Sequence, residues 1–452
     1  MKALKVLATI AAAIVALALI LYLEEDLRGW LAWHKCKHEF AAKGTVFDWN
    51  AYIPPPVPDD QNFFAAPKMQ AWFVKNINST SDLPERLANP KTSSIGTTNA
   101  IISEADARDY LAWSDQFAPD FNLIRDALKR PYARMNGNYR DPVTMPIPNF
   151  VAVRIVAQTL AQRAHCHFLL NQPEPALDDL TLMHDFCRLL EAGPTGKPMT
   201  LVAAMINVAV AGLYVDTIAE GFRQRAWREP QLATLQKQLA DVNLTPLVWT
   251  ALQEEPVALC RTCETIAPPK FFPMSRSQVN WFELMPRGWI YQNMVNIAKL
   301  ELEPLDGFDS AHDTISPHVF NDAARNMNKF FKHNSPYKFL AAIAIPNFSK
   351  AWQTTAHNQT MVNEAQIACA LERYRLTHGE YPQTLDGLTP QFIEKIPHDL
   401  IVGDSLQYRP TADGKFLLYS VGWNERDDGG KDSPPSTNGG VNYATGDWVW
   451  KN

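Results

Sequence analysis

The chain has 452 residues, 46% of them hydrophobic and 20% charged, which is enough for two or three domains and excludes wholesale disorder and collagen-like repeats. A net charge of −6 excludes the strongly basic footprint of a nucleic-acid-binding protein. With 33 prolines against 20 glycines, the composition reads as helices broken by proline loops, a mainly α chain.

Lys2 and Lys5 precede Val6 to Leu23, eighteen residues in which only Thr9 and Tyr22 carry polar atoms, and Glu24, Glu25 and Asp26 follow at once. As a helix this run spans about 27 Å, close to the hydrocarbon thickness of a bilayer. A secretory signal has a shorter apolar region followed by a small-x-small cleavage site. Here Ala16-Leu17-Ala18 lies inside the run, and no such site follows Leu23. Residues 1–25 are therefore expected to be a retained transmembrane anchor, with a cleaved signal as the alternative. The two lysines predict a cytoplasmic N-terminus and an exported body. No second stretch reads as a span: Leu201 to Val215 contains Asn207 and Gly212, and Phe339 to Ile345 is only seven residues.

Residues 26–148 read as a stalk, a proline-rich arm and a connecting region. Leu27, Trp30, Leu31 and Trp33 continue the helix amphipathically beyond the membrane. Ile53-Pro54-Pro55-Pro56-Val57-Pro58 cannot be helical and predicts an extended polyproline run. Helices are expected near Glu104 to Trp113 and Phe121 to Leu128. Residues 149–335 are helical by apolar periodicity, with helices expected at Phe150 to Asn171, Ala176 to Leu190, Met199 to Arg225, Pro230 to Val242, Pro246 to Ala267, Gly288 to Leu302 and Pro317 to Phe331. Gly193-Pro194 ends the second of these. From 336 to 452 the texture becomes α+β. One long helix over Tyr337 to Thr377, kinked at Pro346, precedes a short helix at Leu385 to Leu388. Strands at Leu406 to Arg409 and Lys415 to Ser420 are joined by Thr411-Ala412-Asp413-Gly414, and a last strand is expected at Asp447 to Trp450.

Several pieces of this C-terminal unit form a recognisable series: Ala370-Leu371-Glu372-Arg373-Tyr374-Arg375-Leu376, Gly379-Glu380-Tyr381-Pro382, Tyr408-Arg409 and Leu418-Tyr419-Ser420-Val421-Gly422. With them, and with Leu340 to Phe348 as the middle of a pilin-like helix, residues 336–452 resemble the major pseudopilin of type II secretion. The rest is similar to signal-anchored bacterial proteins, through the Pro54 to Asn62 arm and Ala226 to Leu232, and that likeness implies no activity. The resemblance implies a bacterial inner-membrane protein with its bulk in the periplasm, and secretion or pilus-type machinery among its partners. It also implies a calcium ion in the loop after Ser420. Asn424 stands at the family's first acidic position, and Asp427, Asp428, Asp432 and Asp447 supply further oxygens for a hard cation. The alternative is a solvated turn. Unlike a pilin, the unit is internal, preceded by Lys332-His333-Asn334-Ser335-Pro336.

Other candidate signals fail on spacing. His34-x-Cys36-x-His38 and His165-Cys166-His167 place alternate residues about 200° apart on a helix, so their ligands diverge. Gly193 to Pro198 has Glu191 and Pro198 where a phosphate loop needs glycine and a hydroxyl residue. Glu254-Glu255 and Glu24-Glu25 diverge in the same way. Cys260-x-x-Cys263 lies on a helix and reads as core thiols, with a local disulfide or redox pair as alternatives. No catalytic residue is nominated. The expected function is a non-enzymatic, membrane-anchored scaffold that binds the bilayer through residues 6–23 and other envelope proteins, and not nucleic acid. The alternative is an exported hydrolase or ligand-binding protein with a cleft between the helical and C-terminal domains.

Overall fold

The computed structural model describes residues 2–75, 83, 86–87, 103–187, 190–191, 200–265, 285–345, 348–432 and 442–451. The chain is mainly helical with small antiparallel sheets. Helix α1, Lys2–Ala41, runs unbroken from the apolar segment through the stalk. Residues 53–58 are extended, and the short α2 (Met69–Phe73) follows. Then come α3 (Glu104–Ser114) and α4 (Ala118–Leu128), the first begun by Ser103 accepting the amide of Asp106. The helical body comprises α5 (Phe150–Leu169), α6 (Pro173–Cys187), α7 (Leu201–Arg223), α8 (Glu229–Ala240), α9 (Leu244–Thr265), α10 (Arg287–Leu302) and α11 (Pro317–Phe330). Asn149 and Thr200 cap α5 and α7 through their side-chain oxygens. Helix α7 is also long and apolar enough to span a membrane, contrary to the sequence reading. However, 61% of its apolar window is buried, against 0% for α1, so α7 serves as a core helix.

Two differences from the sequence have local causes. The long helix is divided into α12 (Phe339–Ala344) and α13 (Phe348–His378). Ile345, at φ −80° and ψ 115°, takes the extended conformation that a following proline imposes, so the proline breaks the helix where a kink was expected. Pro346 itself, like Gly193 to Pro198, lies outside the described residues. Within the stretch read as wholly helical, β1 (Phe308–Asp309) pairs with β2 (Thr314–Ile315) through a turn in which Asp313 adopts φ 51°. The C-terminal strands β3 (Gln407–Pro410), β4 (Phe416–Ser420) and β5 (Trp448–Val449) form an antiparallel sheet in the order β3-β4-β5.

Helix α13 is packed into the helical body, against α8, α7 and α9. One apolar core accordingly runs from Phe63 and Phe73 through α5 to α8 and on to Leu371, Leu418 and Trp450. The second joins Trp33, Cys36 and Phe40 of α1 to α9, α10 and Trp352. Burying α13 takes polar side chains with it, and main-chain groups of other helices partner two of them. Gln359 Oε1 accepts the Leu244 amide at 2.7 Å, and Asn358 Nδ2 donates to the Val208 carbonyl at 2.7 Å. The residues that carry the pseudopilin resemblance close the helix onto the sheet: Arg375 and Tyr381 both donate to Glu372, and the Tyr408 hydroxyl donates to the Pro382 carbonyl at 2.7 Å.

His357 on α13 sits against the Tyr443 ring, centroids 4.2 Å apart, and burial lowers its pKa from 6.5 to about 4. As pH falls through that window the unfolded chain binds a proton that the folded chain refuses. Stability is therefore unaffected above pH 6.5 and declines below it, by up to about 3 kcal/mol once pH 4 is passed. His357→Gln is expected to flatten this part of the pH dependence in a series of urea unfolding curves. An unchanged slope would show that this imidazole titrates freely.

Candidate functional site

The exposed and docked halves of α1 meet at a built junction. From Val6 to Leu23 the apolar side chains stand in the open, with Leu7 at 64%, Ile14 at 63% and Leu23 at 66% exposure. Less than two turns further on, the same helix crosses the start of α10 at Gly29 and Gly288. A Cβ on either glycine would fall inside the van der Waals radius of the other helix's backbone, on the Gly288 carbonyl or the Glu25 carbonyl. The close approach lets α1 cap its neighbour: Asp26 Oδ1 accepts the Gly288 amide at 2.9 Å, taking up one of the unpaired N–H groups of the first turn of α10. Glu25 accepts the Trp289 indole N–H at 3.1 Å and the Tyr337 hydroxyl at 3.0 Å, and pairs with Arg28, which also donates to Tyr337 at 2.9 Å. Burial pushes the Glu25 carboxyl up, but the hydrogen bonds from Arg28, Tyr337 and Trp289 outweigh it and hold the group below its ordinary value. The Glu25 hydrogen bond in turn raises the pKa of Arg28. Glu25 therefore stays ionised at neutral pH, held by groups from three separate stretches of chain.

The five residues expected to bind calcium are engaged in the loop's own hydrogen bonds. Asp447, fully buried, accepts the amides of Asp428 at 3.1 Å and Gly430 at 2.7 Å. Asn424 donates to Asp428 at 2.8 Å, Asp427 accepts the Tyr419 hydroxyl at 3.0 Å, and Asp432 pairs with Lys451 at 2.8 Å. N–H donors, a hydroxyl and a lysine thus take up one or both side-chain oxygens of these carboxylates. Burial raises the pKa of Asp447 despite its two amide donors. Among the described residues no set of three or more His, Cys, Asp or Glu side chains is placed to hold a metal ion. The Pro434-Pro435 part of this loop lies outside the described residues. His165 and His167 leave α5 in different directions, towards Glu220 and Gln172.

Among the described residues, cavities in the helical body include the following two. A cleft of about 610 Å³ among α6, α7 and α8 is lined by His184, Cys187, Tyr214, Lys237 and Asp241. Burial pushes the Cys187 thiol and the Tyr214 phenol well up. Tyr214 donates instead to Gln238 at 2.7 Å, and His184 Nδ1 lies 3.1 Å from its neighbour Asp185. A more apolar groove of about 670 Å³ runs between α5 and α7, past Arg154, Met205 and Leu213 to Glu255, whose carboxyl burial pushes up to about 7. All six cysteines are buried free thiols; Cys260 and Cys263 lie in the core beside α10, and burial pushes both thiols up.

No family model, no curated protein and no solved structure matches this chain. The junction residues that the sequence reading passed over are Gly29, Gly288, Trp289 and Tyr337. A signal for three of them does stand in the sequence: the triplet Arg-Gly-Trp occurs at 28–30 and again at 287–289, and the two middle glycines are the ones that meet.

Proposed function

We propose that this protein is a single-pass, membrane-tethered envelope protein that holds a helical body at a fixed attitude to the bilayer and presents it to other proteins without catalysing a reaction. One observation carries the reading: α1 is a single uninterrupted helix whose first half exposes an apolar surface of spanning length and whose second half is part of the core. An exposed apolar surface of that size needs a lipid or protein cover. A helix continuous through the membrane boundary transmits orientation as a flexible linker does not. Lys2 and Lys5 before the span and Glu24 to Asp26 after it favour a cytoplasmic N-terminus and an exported body.

The test is fractionation of cells expressing the full chain, followed by mass measurement of the intact protein and protease treatment of spheroplasts. The expected product is retained in salt-washed membranes, keeps its N-terminal residues and is digested from outside. Recovery of a soluble chain lacking its first two dozen residues would overturn the reading. Protection of the body in intact spheroplasts would reverse the orientation.

A further inference from the structure

Between Asp322 and Glu364 the sequence contains no acidic residue, although the chain as a whole is acidic. The same interval carries Arg325, Lys329, Lys332, Lys338 and Lys350. The first part of this basic stretch is fastened beside the point where α1 leaves its apolar run. Tyr337 reaches Glu25 at 3.0 Å, and Glu25 lies two residues past Leu23, a rise of about 3 Å along the helix axis. Asn293 of α10 accepts the Leu340 amide at 2.9 Å, and Asn296 donates to the Tyr337 carbonyl at 2.7 Å, so the segment is held along the first ten residues of α10, with Leu340 nearer the start of that helix than Tyr337. The headgroup layer on one face of a bilayer is roughly 5–7 Å deep, and the chain approaches it as it runs from Tyr337 at Asn296 back to Leu340 at Asn293, towards the start of α10.

The exposed chemistry suits such a layer. Lys329, Lys332 and His333 are exposed, and among the described residues neither lysine has an ion-pair partner. Arg287, at the start of α10, is exposed on the same end. Ile343 is 54% exposed on α12, and Trp30, 43% exposed, stands on α1 beyond the span. Lys338, half-buried, is engaged within the segment: its ammonium lies over the face of the Phe330 ring at 4.7 Å and donates to the Phe330 carbonyl. The acids at this level are already engaged: Glu24 and Glu25 with Arg28, and Asp26 with the Gly288 amide. Basic side chains interleaved with exposed apolar and aromatic ones are the composition of interfacial segments.

We infer that residues 329–345 form a second membrane contact, a monotopic segment seated on the leaflet from which α1 emerges. Lys329 and Lys332 meet anionic phospholipid headgroups, and Ile343 enters the edge of the acyl layer. This rests on α1 being a membrane span. Two points of attachment, one through the bilayer and one on it, would stop the body from rotating about the α1 axis.

The test uses the full chain in nanodiscs of phosphatidylcholine alone or mixed with phosphatidylglycerol. A nitroxide is attached through Ile343→Cys in one sample and Leu17→Cys in another, the native thiols being buried. Its collisions with lipid-dissolved oxygen and with an aqueous nickel chelate are compared. The expected result is a lipid-accessible label at 343 in the anionic discs, lost in phosphatidylcholine, at high salt, and in the combined Lys329→Gln, Lys332→Gln variant. Each lysine should contribute about fivefold to the seated population. A label at 17 in lipid with a label at 343 in water, whatever the lipid, overturns the contact and leaves the tether standing. Equal lipid access at 343 in both kinds of disc and in the lysine variant overturns the headgroup recognition. A label at 17 in water removes the tether and this inference with it.

Discussion

Deletion of residues 1–23 is expected to release a folded body into the salt-washed soluble fraction, whereas deletion of residues 1–41 is expected to destroy the fold. The two cuts differ by eighteen residues of the same helix, and their consequences differ because α1 changes partner at the junction. Up to Leu23 the described link to the body is the Tyr22 hydroxyl on the Met285 carbonyl at 3.1 Å, a single hydrogen bond worth about 1 kcal/mol. Past it, Trp33, Cys36 and Phe40 are 2%, 1% and 5% exposed, with Trp33 edge-on to Phe47 at 4.9 Å. Removing a buried tryptophan or phenylalanine costs about 3–5 kcal/mol each, so these two alone remove about 6–10 kcal/mol from a stability of typically 5–15 kcal/mol. The second cut also strips the Asp26 cap from α10 and uncovers the apolar faces of α9 and α10. Far-ultraviolet circular dichroism and urea unfolding of the two products would check this. A cooperative transition at an unchanged midpoint in the shorter product would show that α1 is an appendage of the body.

The extent to which this architecture was legible depended on how local its causes are. Helices such as Glu104–Ser114 and Glu229–Ala240 follow apolar periodicity and their caps, signals contained within a dozen residues. The continuity of anchor and stalk was legible for the same reason. The break before Pro346 was legible as a place and misjudged in degree, since the chain's response to a proline depends on whether tertiary packing can hold a kinked helix together. The polar face of α13 was opaque. Thr355, Asn358, Gln359 and Glu364 carry no local sign of burial, yet all four are buried. The acceptors and donors for Asn358 and Gln359 come from α7 and the start of α9, more than a hundred residues earlier. The loop carboxylates were legible as a cluster of oxygens, but whether such oxygens face a cation or backbone amides depends on the path of the loop, and Asp447 turns inward to Asp428 and Gly430. At the junction, a glycine in a helix reads as a weak point, and only its meeting with a second glycine 259 positions away gives it a purpose.

That meeting makes a prediction whose sign separates local from tertiary effects. By helix propensity alone, Gly29→Ala should stabilise α1 by about 1 kcal/mol, because alanine has less backbone freedom to lose. By packing it should destabilise, because the new methyl would overlap the Gly288 carbonyl and Cα, main-chain atoms that cannot rotate away as a flexible side chain does. Overpacking typically costs 1–3 kcal/mol, and here α1 can relieve it only by rising from α10. That movement would also stretch the 2.9 Å bond from the Gly288 amide to Asp26 and the Trp289 and Tyr337 bonds to Glu25. Packing therefore wins: Gly29→Ala should lose about 2 kcal/mol net of the propensity gain, and Gly29→Leu should lose more and open the amides of the first turn of α10 to hydrogen exchange. Ala13→Leu, on the exposed half of the same helix, is the control and should change neither stability nor exchange. Thermal unfolding of the detergent-solubilised variants, with exchange read at residues 287–293, would distinguish the two outcomes. A rise in melting temperature for Gly29→Ala would mean that the helices stand further apart than the crossing of Gly29 on Gly288 requires.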